Sequence, residues 1–171
     1  MRNLAAISLA ALAGIWLAAA PLAAKDSNAK FKTVEAKHFD RAEGVELTPE
    51  FSDYLYAELR TRLEKTKMFG QVIGEGEVVE EADAPASVVL TGTLTEYKKG
   101  NVVESKVIGF GTGKRSLKVQ VNVLRRSDQK NLKSLNIHVK ALPNWNEKIL
   151  AVEAAKQIAS EVKDSLEHEG S

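Results

Sequence analysis

The residues that look most like chemistry are Gly109-Phe-Gly-Thr-Gly-Lys114, three alternate glycines followed by a cation. Glycine-rich loops cradle phosphates because their bare N–H groups can approach the oxygens, with a lysine balancing the charge. A phosphate loop, however, needs four residues between its first glycine and the Gly-Lys pair, then a hydroxyl residue and a helix. Here Arg115 comes next, and Leu117, Val119, Val121 and Val123 alternate with Lys118, Gln120 and Asn122 in the period of a half-buried strand. The spacing therefore argues against a nucleotide, and the dinucleotide fingerprint fails likewise because its glycines must open a helix. What remains is a shape signal: Gly109, Gly111 and Gly113 lie on one side of an extended segment, fitting either close packing or backbone angles closed to other residues. With Lys114, Arg115, Lys118 and Lys140 they form the candidate binding residues.

Other chemistries lack their constellations. Glu80 and Glu81 are adjacent on a polar loop, where neighbouring side chains point apart and stay solvated, so they read as solvation and not as an acid–base pair. His38, His138 and His168 form no pair at metal-ligand spacing, and the chain has no cysteine, so neither a zinc site nor any other cofactor is expected. No Gly-x-Ser-x-Gly turn occurs to expose a serine nucleophile. Tyr54 and Tyr56 flank the apolar row of a helix and read as core-edge residues. No catalytic residue is expected, and the chain reads as a non-enzyme.

The elements that must position the candidates follow from periodicity. Phe31 to Phe39 alternates loosely as a first strand, with Thr33 and Glu35 opposite Val34 and Ala36, and Asp40 to Leu47 is a loop. Thr48-Pro49-Glu50 starts a helix with a hydroxyl cap, a proline and an acid in the first turn; Phe51, Leu55, Leu59 and Leu63 give its apolar row, and it runs to about Lys67, with Phe69-Gly70 ending it. A short strand is expected over Gln71 to Val79, another over Ser87 to Tyr97 with a threonine row at 91, 93 and 95, and a hairpin in which the strand to Leu124 turns at Arg125 to Lys130 into Leu132 to Leu142. Asn144 with Glu147 resembles a capping box ahead of a last helix whose stripe is Trp145, Ile149, Val152, Ala155, Ala159, Val162 and Leu166. This order implies an α+β two-layer domain, a mainly antiparallel sheet of four to five strands with two helices on one face.

The 171 residues, 44% hydrophobic and 27% charged, suit one ordinary globular domain after an unusual start. Leu4 to Ala24 holds no charge and ends in Pro-Leu-Ala-Ala, the pattern of an export signal cleaved after Ala24. The expected organisation is a signal peptide over 1–24, a flexible leader over 25–30 and one domain over 31–168, located in the periplasm. A retained membrane anchor is the competing reading, weakened because many of the apolar residues are alanines. Charge is unevenly placed: residues 25–97 carry 9 basic and 15 acidic side chains, residues 98–140 carry 11 and 2, and residues 141–171 carry 3 and 6. Basic strands could simply face acidic helices within the fold, or offer a surface to an anionic envelope component or another envelope protein. Nucleic acid is not expected, because export removes that partner and the basic strands lack interleaved aromatics.

The run Ser87-Val-Val-Leu-Thr-Gly-Thr-Leu-Thr-Glu-Tyr97, the Gly109-Phe-Gly-Thr-Gly113 segment and Leu117-Lys-Val-Gln-Val-Asn-Val123 before an Asp128 turn resemble a bacterial envelope family, domain of unknown function 4410, over about residues 31–166. The resemblance implies an exported protein, often a lipoprotein, with no established activity or agreed catalytic residues. This chain departs from the lipoprotein members in having no cysteine to carry the lipid. The expectation is a non-enzymatic periplasmic binding or accessory protein; an envelope enzyme acting on an anionic glycan or lipid, and a homo-oligomeric structural element, are the alternatives.

Overall fold

The computed structural model describes residues 31–99, 115–141 and 146–167. In chain order these form β1 (Phe31–Ala36), β2 (Asp40–Arg41), α1 (Pro49–Thr66), β3 (Phe69–Ile73), a short 3-10 helix (Glu81–Ala86), β4 (Ser87–Lys98), β5 (Arg115–Arg125), β6 (Asn131–Ala141) and α2 (Glu147–Glu167). The sheet order is β3-β1-β4-β5-β6, with β2 also on β4. The α+β class holds, with six strands in place of four to five.

The extra strand exists because β1 does not stop where its alternation fades. Lys37 N–H donates to the Leu90 carbonyl at 3.0 Å and Ala42 N–H to that of Leu94 at 2.9 Å, so the chain stays on the β4 edge through the expected loop. The register moves from Ala36 opposite Leu90 to Asp40 opposite Thr93, which inserts one extra residue and makes a bulge. Phe39 turns inward there and covers Gly92, where a Cβ would lie 2.6 Å from the ring. Glycine at 92 is a consequence of that aromatic.

The two long ladders, β4 with β5 and β5 with β6, are antiparallel, as a hairpin dictates. β1 instead pairs parallel with both β3 and β4. A helix-length crossover is what permits this: α1 carries the chain back so that β3 starts at the same end as β1.

Thr48 caps α1, its hydroxyl oxygen accepting the Phe51 N–H at 3.3 Å, and Lys67 in the left-handed region (φ 58°) closes the other end. That turn feeds directly into β3, so Phe69-Gly70 begin a strand where they were expected only to end a helix. The strand finishes at Ile73, short of the expected Val79. At the start of α2, Asn146 Oδ1 accepts the Ile149 N–H at 2.9 Å, while the expected Asn144 and Trp145 lie outside the described residues. The buried stripe of α2 begins at Leu150, Ala151 and Ala154 in place of the expected Ile149 and Val152, and joins the expected one at Ala155, Ala159, Val162 and Leu166. Ile149 is left 43% exposed.

Both helices pack on one face of the sheet and on each other. Phe51, Leu59 and Leu63 from α1 meet Ile158 and Leu166 from α2 over Leu90, Leu94 and Leu117 in one buried cluster. Burying each such side chain contributes about 1.5–3 kcal/mol. The opposite face carries no α-helix among the described residues.

Candidate functional site

Strand alternation decides what the helix-free face displays. Leu117, Val119, Val121 and Val123 are buried under the helices, so Lys118, Gln120 and Asn122 point the other way. The ladder sets Lys118 opposite His138, Gln120 opposite Asn136 and Asn122 opposite Ser134, with Thr93 and Thr91 continuing two of these rows onto β4. Asn122 Oδ1 accepts the Ser134 hydroxyl at 2.8 Å, and Ser134 Oγ accepts an Asn131 amide hydrogen at 2.7 Å. Lys140 stands exposed opposite Ser116 near the end of β6.

A register shift between Leu94 and Glu96 places Glu96 on this polar face and Tyr97 with Leu117 on the helix side. Glu96 is held by Lys118 Nζ at 2.5 Å and Lys98 Nζ at 3.0 Å. The Lys118 hydrogen bond, followed by that of Lys98, keeps the Glu96 carboxyl below the usual carboxylate range. Lys118 is therefore half of an exposed ion pair. Burial pushes the Tyr97 phenol above its ordinary value, and its hydroxyl has no hydrogen-bond partner among the described residues.

The structure brings together only part of the candidate set. Lys118 and Lys140 share the helix-free face. Arg115, opposite Ala141, falls in register with the helix-facing positions. Gly109, Gly111, Gly113 and Lys114 lie outside the described residues.

Two clusters carry no spacing signal in the sequence. At the C-terminal ends of the parallel strands β1 and β3, the His38 ring stacks on Tyr56 with centroids 3.8 Å apart. Glu75 Oε2 lies 3.1 Å from His38 Nδ1 and accepts the His38 N–H at 3.3 Å, while the Glu75 N–H donates to the Tyr56 hydroxyl at 3.1 Å. Arg60 lies over the same Tyr56 ring and pairs with Glu77 at 3.6 Å. Tyr56 is thus a clamp for the turn after β3, a use its position beside the apolar row of α1 does not suggest.

The second cluster sits at the β3 edge on the face opposite α1 and α2, where the short 3-10 helix Glu81–Ala86 lies. A polar cleft of about 260 Å³ is lined by Thr33, Gln71, Val78, Val79, Glu80 and Asp83. Lys32 pairs with Asp83, and the Ser87 hydroxyl donates to the Asp83 carbonyl at 2.7 Å. Alongside, the buried Glu35 carboxylate takes the Arg126 guanidinium and accepts the Gly76 N–H at 3.2 Å. Among the described residues no group of three or more His, Asp or Glu side chains could hold a metal ion, and no helix is long and apolar enough to cross a membrane.

This two-layer arrangement is shared with other bacterial proteins. The PelC dodecamer from Paraburkholderia phytofirmans is 13% identical, with 79% of this chain and 89% of that chain covered and a TM-score of 0.56. Protein XCC0632 from Xanthomonas campestris is 9% identical, with coverages of 81% and 87% and a TM-score of 0.54. The hypothetical protein CT253 from Chlamydia trachomatis is 12% identical, with coverages of 78% and 97% and a TM-score of 0.51. At such identities the likeness is one of fold. No curated protein matches the chain. The family model described as Domain of unknown function (DUF4410) matches residues 19–142, and the chain belongs to that family. The match stops after β6, so α2 lies beyond it.

Proposed function

We propose that this chain is an exported accessory protein of the bacterial cell envelope that works by binding other envelope components. The carrying observation is the helix-free face of β4, β5 and β6, an exposed ladder of amide, hydroxyl and lysine side chains with Lys140 uncovered at its border. A regular, polar and mildly basic surface suits a protein or an anionic envelope component. The apolar run from Leu4 to Ala24 serves as a cleaved signal, residues 25–30 as a leader and residues 31–168 as the binding domain in the periplasm.

The test is crosslinking in cells that export either the wild-type chain or a Lys118→Glu, Lys140→Glu double variant. The double variant is expected to lose crosslinked envelope species with only a small fall in melting temperature, because the Lys118–Glu96 pair that it turns into a like-charge pair is exposed. An unchanged crosslinking pattern would sink the surface assignment. Mass spectrometry of the same material tests the processing, with Lys25 expected as the first residue.

A second reading is self-association. It draws on PelC, the fold neighbour that is a dodecamer. It also draws on the segregation of acidic and basic residues along this chain.

A further inference from the structure

One transverse row of the sheet runs from an acidic edge to a basic one. Gln71 pairs with Thr33, and Thr33 with Ser87. The Ser87 carbonyl accepts the Arg126 N–H at 2.9 Å, and beyond it the Lys130 carbonyl accepts the Arg125 N–H at 2.8 Å at the tip of the β5–β6 hairpin. At the β3 end of this row lies the cleft with Glu80 and Asp83. At the β6 end lies the exposed Lys130.

The charges along the row are matched inside and unmatched at its ends. Arg126 is taken by Glu35, Arg125 by Asp128, and Lys32 by Asp83. The Glu80 carboxylate and the Lys130 ammonium make no ion pair among the described residues. Directions complete the relationship. β1, β3 and β4 are mutually parallel, β5 opposes β4, and β6 opposes β5, so both outer strands, β3 and β6, run the same way. A second copy placed side by side, with its helices on the same face, therefore needs no shift along the strands to bring its Lys130 level with the Glu80 cleft.

We propose that the cleft of Thr33, Gln71, Glu80 and Asp83 receives Lys130 from the hairpin tip of a neighbouring copy, making a head-to-tail contact. The occupant is a second copy of this chain because the complementary charge stands on the same row at the opposite edge. Such a heterologous contact repeats: each copy offers one cleft and one tip, so assembly continues until rotation closes a ring or leaves a filament. The inference rests on the self-association reading above.

The experiment is light scattering on the full chain recovered from the envelope fraction, at low and high salt, with Glu80→Lys and Lys130→Glu each alone and mixed one to one. Wild type is expected to form a salt-sensitive oligomer. Each single variant should associate at least about tenfold more weakly, and the mixture should recover assembly because Lys at 80 then meets Glu at 130. A monomeric wild type at both salts would overturn self-association and this contact with it. Wild-type assembly that both single variants retain, or that the mixture fails to restore, would overturn only the contact.

Discussion

The imidazole of His38 lies face to face with the ring of Tyr56, 3.8 Å between centroids and 19° between planes, and the stack fixes where Glu75 can bind. Two bonds converge on one Glu75 oxygen, from the His38 ring and the His38 backbone. They hold the Glu75 carboxyl below the usual carboxylate range, the side-chain bond being the larger cause. A carboxyl lowered on folding stabilises above its unfolded value, and the effect is lost as pH falls through the folded value. The turn after β3 is therefore expected to loosen in acid, below the ordinary carboxylate range. Carboxyl NMR should show Glu75 titrating higher in His38→Ala, and an unmoved titration would refute the assignment.

Removal of Arg126 is expected to be costly. Glu35 is only 5% exposed, and its charge has the Arg126 guanidinium and the Gly76 N–H as partners. Arg126→Ala leaves a buried carboxylate short of its countercharge and should destabilise the protein by about 3 kcal/mol. Glu35→Gln keeps a hydrogen-bond acceptor for Gly76 and removes the charge, so it should cost less. Denaturant melts of the two variants test the order.

Gly92→Ala forces a methyl group to within 2.6 Å of the Phe39 ring. Overpacking of this kind costs about 1–3 kcal/mol. Phe39→Leu in the same chain should relieve part of it, giving a non-additive double-mutant cycle. Additive losses would show that the bulge shifts to accommodate the methyl.

Thr48 works on two helices at once. Its oxygen caps α1 and its hydroxyl donates to Glu147 Oε2 of α2 at 2.8 Å. Thr48→Ala should cost about 1 kcal/mol, the usual worth of a cap, whereas Thr48→Ser should be close to neutral. Equal melting temperatures for wild type and Thr48→Ala would contradict both contacts.

The alternating β5–β6 hairpin and the Thr48-Pro49-Glu50 start of α1 were legible because periodicity and capping are local. The burial of Glu35 was not. Its alternation with Val34 reads as a strand with one polar side, and what makes that side an interior is Arg126, 91 positions away. β2 was hidden for a related reason, since a bulge breaks the period on which strand recognition depends. The His38, Tyr56 and Glu75 cluster joins a strand end, a helix and a turn, and no spacing within the chain announces it. Of the candidate binding residues, the exposure of Lys118 and Lys140 followed from the period of two. The Lys118–Glu96 pair did not, because a bulge beside Glu96 sets that register.

The sheet cannot be assembled in chain order. β1 comes first among the described strands yet lies between β3 and β4, and its partners on β4 are more than fifty positions later, Thr33 with Ser87 and Ala36 with Leu90. The β5–β6 hairpin closes over a five-residue turn and can form from neighbouring residues, while β1 has to wait for a long loop to close before it meets β4. A chain delivered N-terminus first can pair β1 with β3 once Ile73 has followed, yet carries the other edge of β1 unpaired until Leu90 arrives. The exposed strand edge during that interval is the stretch at which misassembly, or a chaperone, would act.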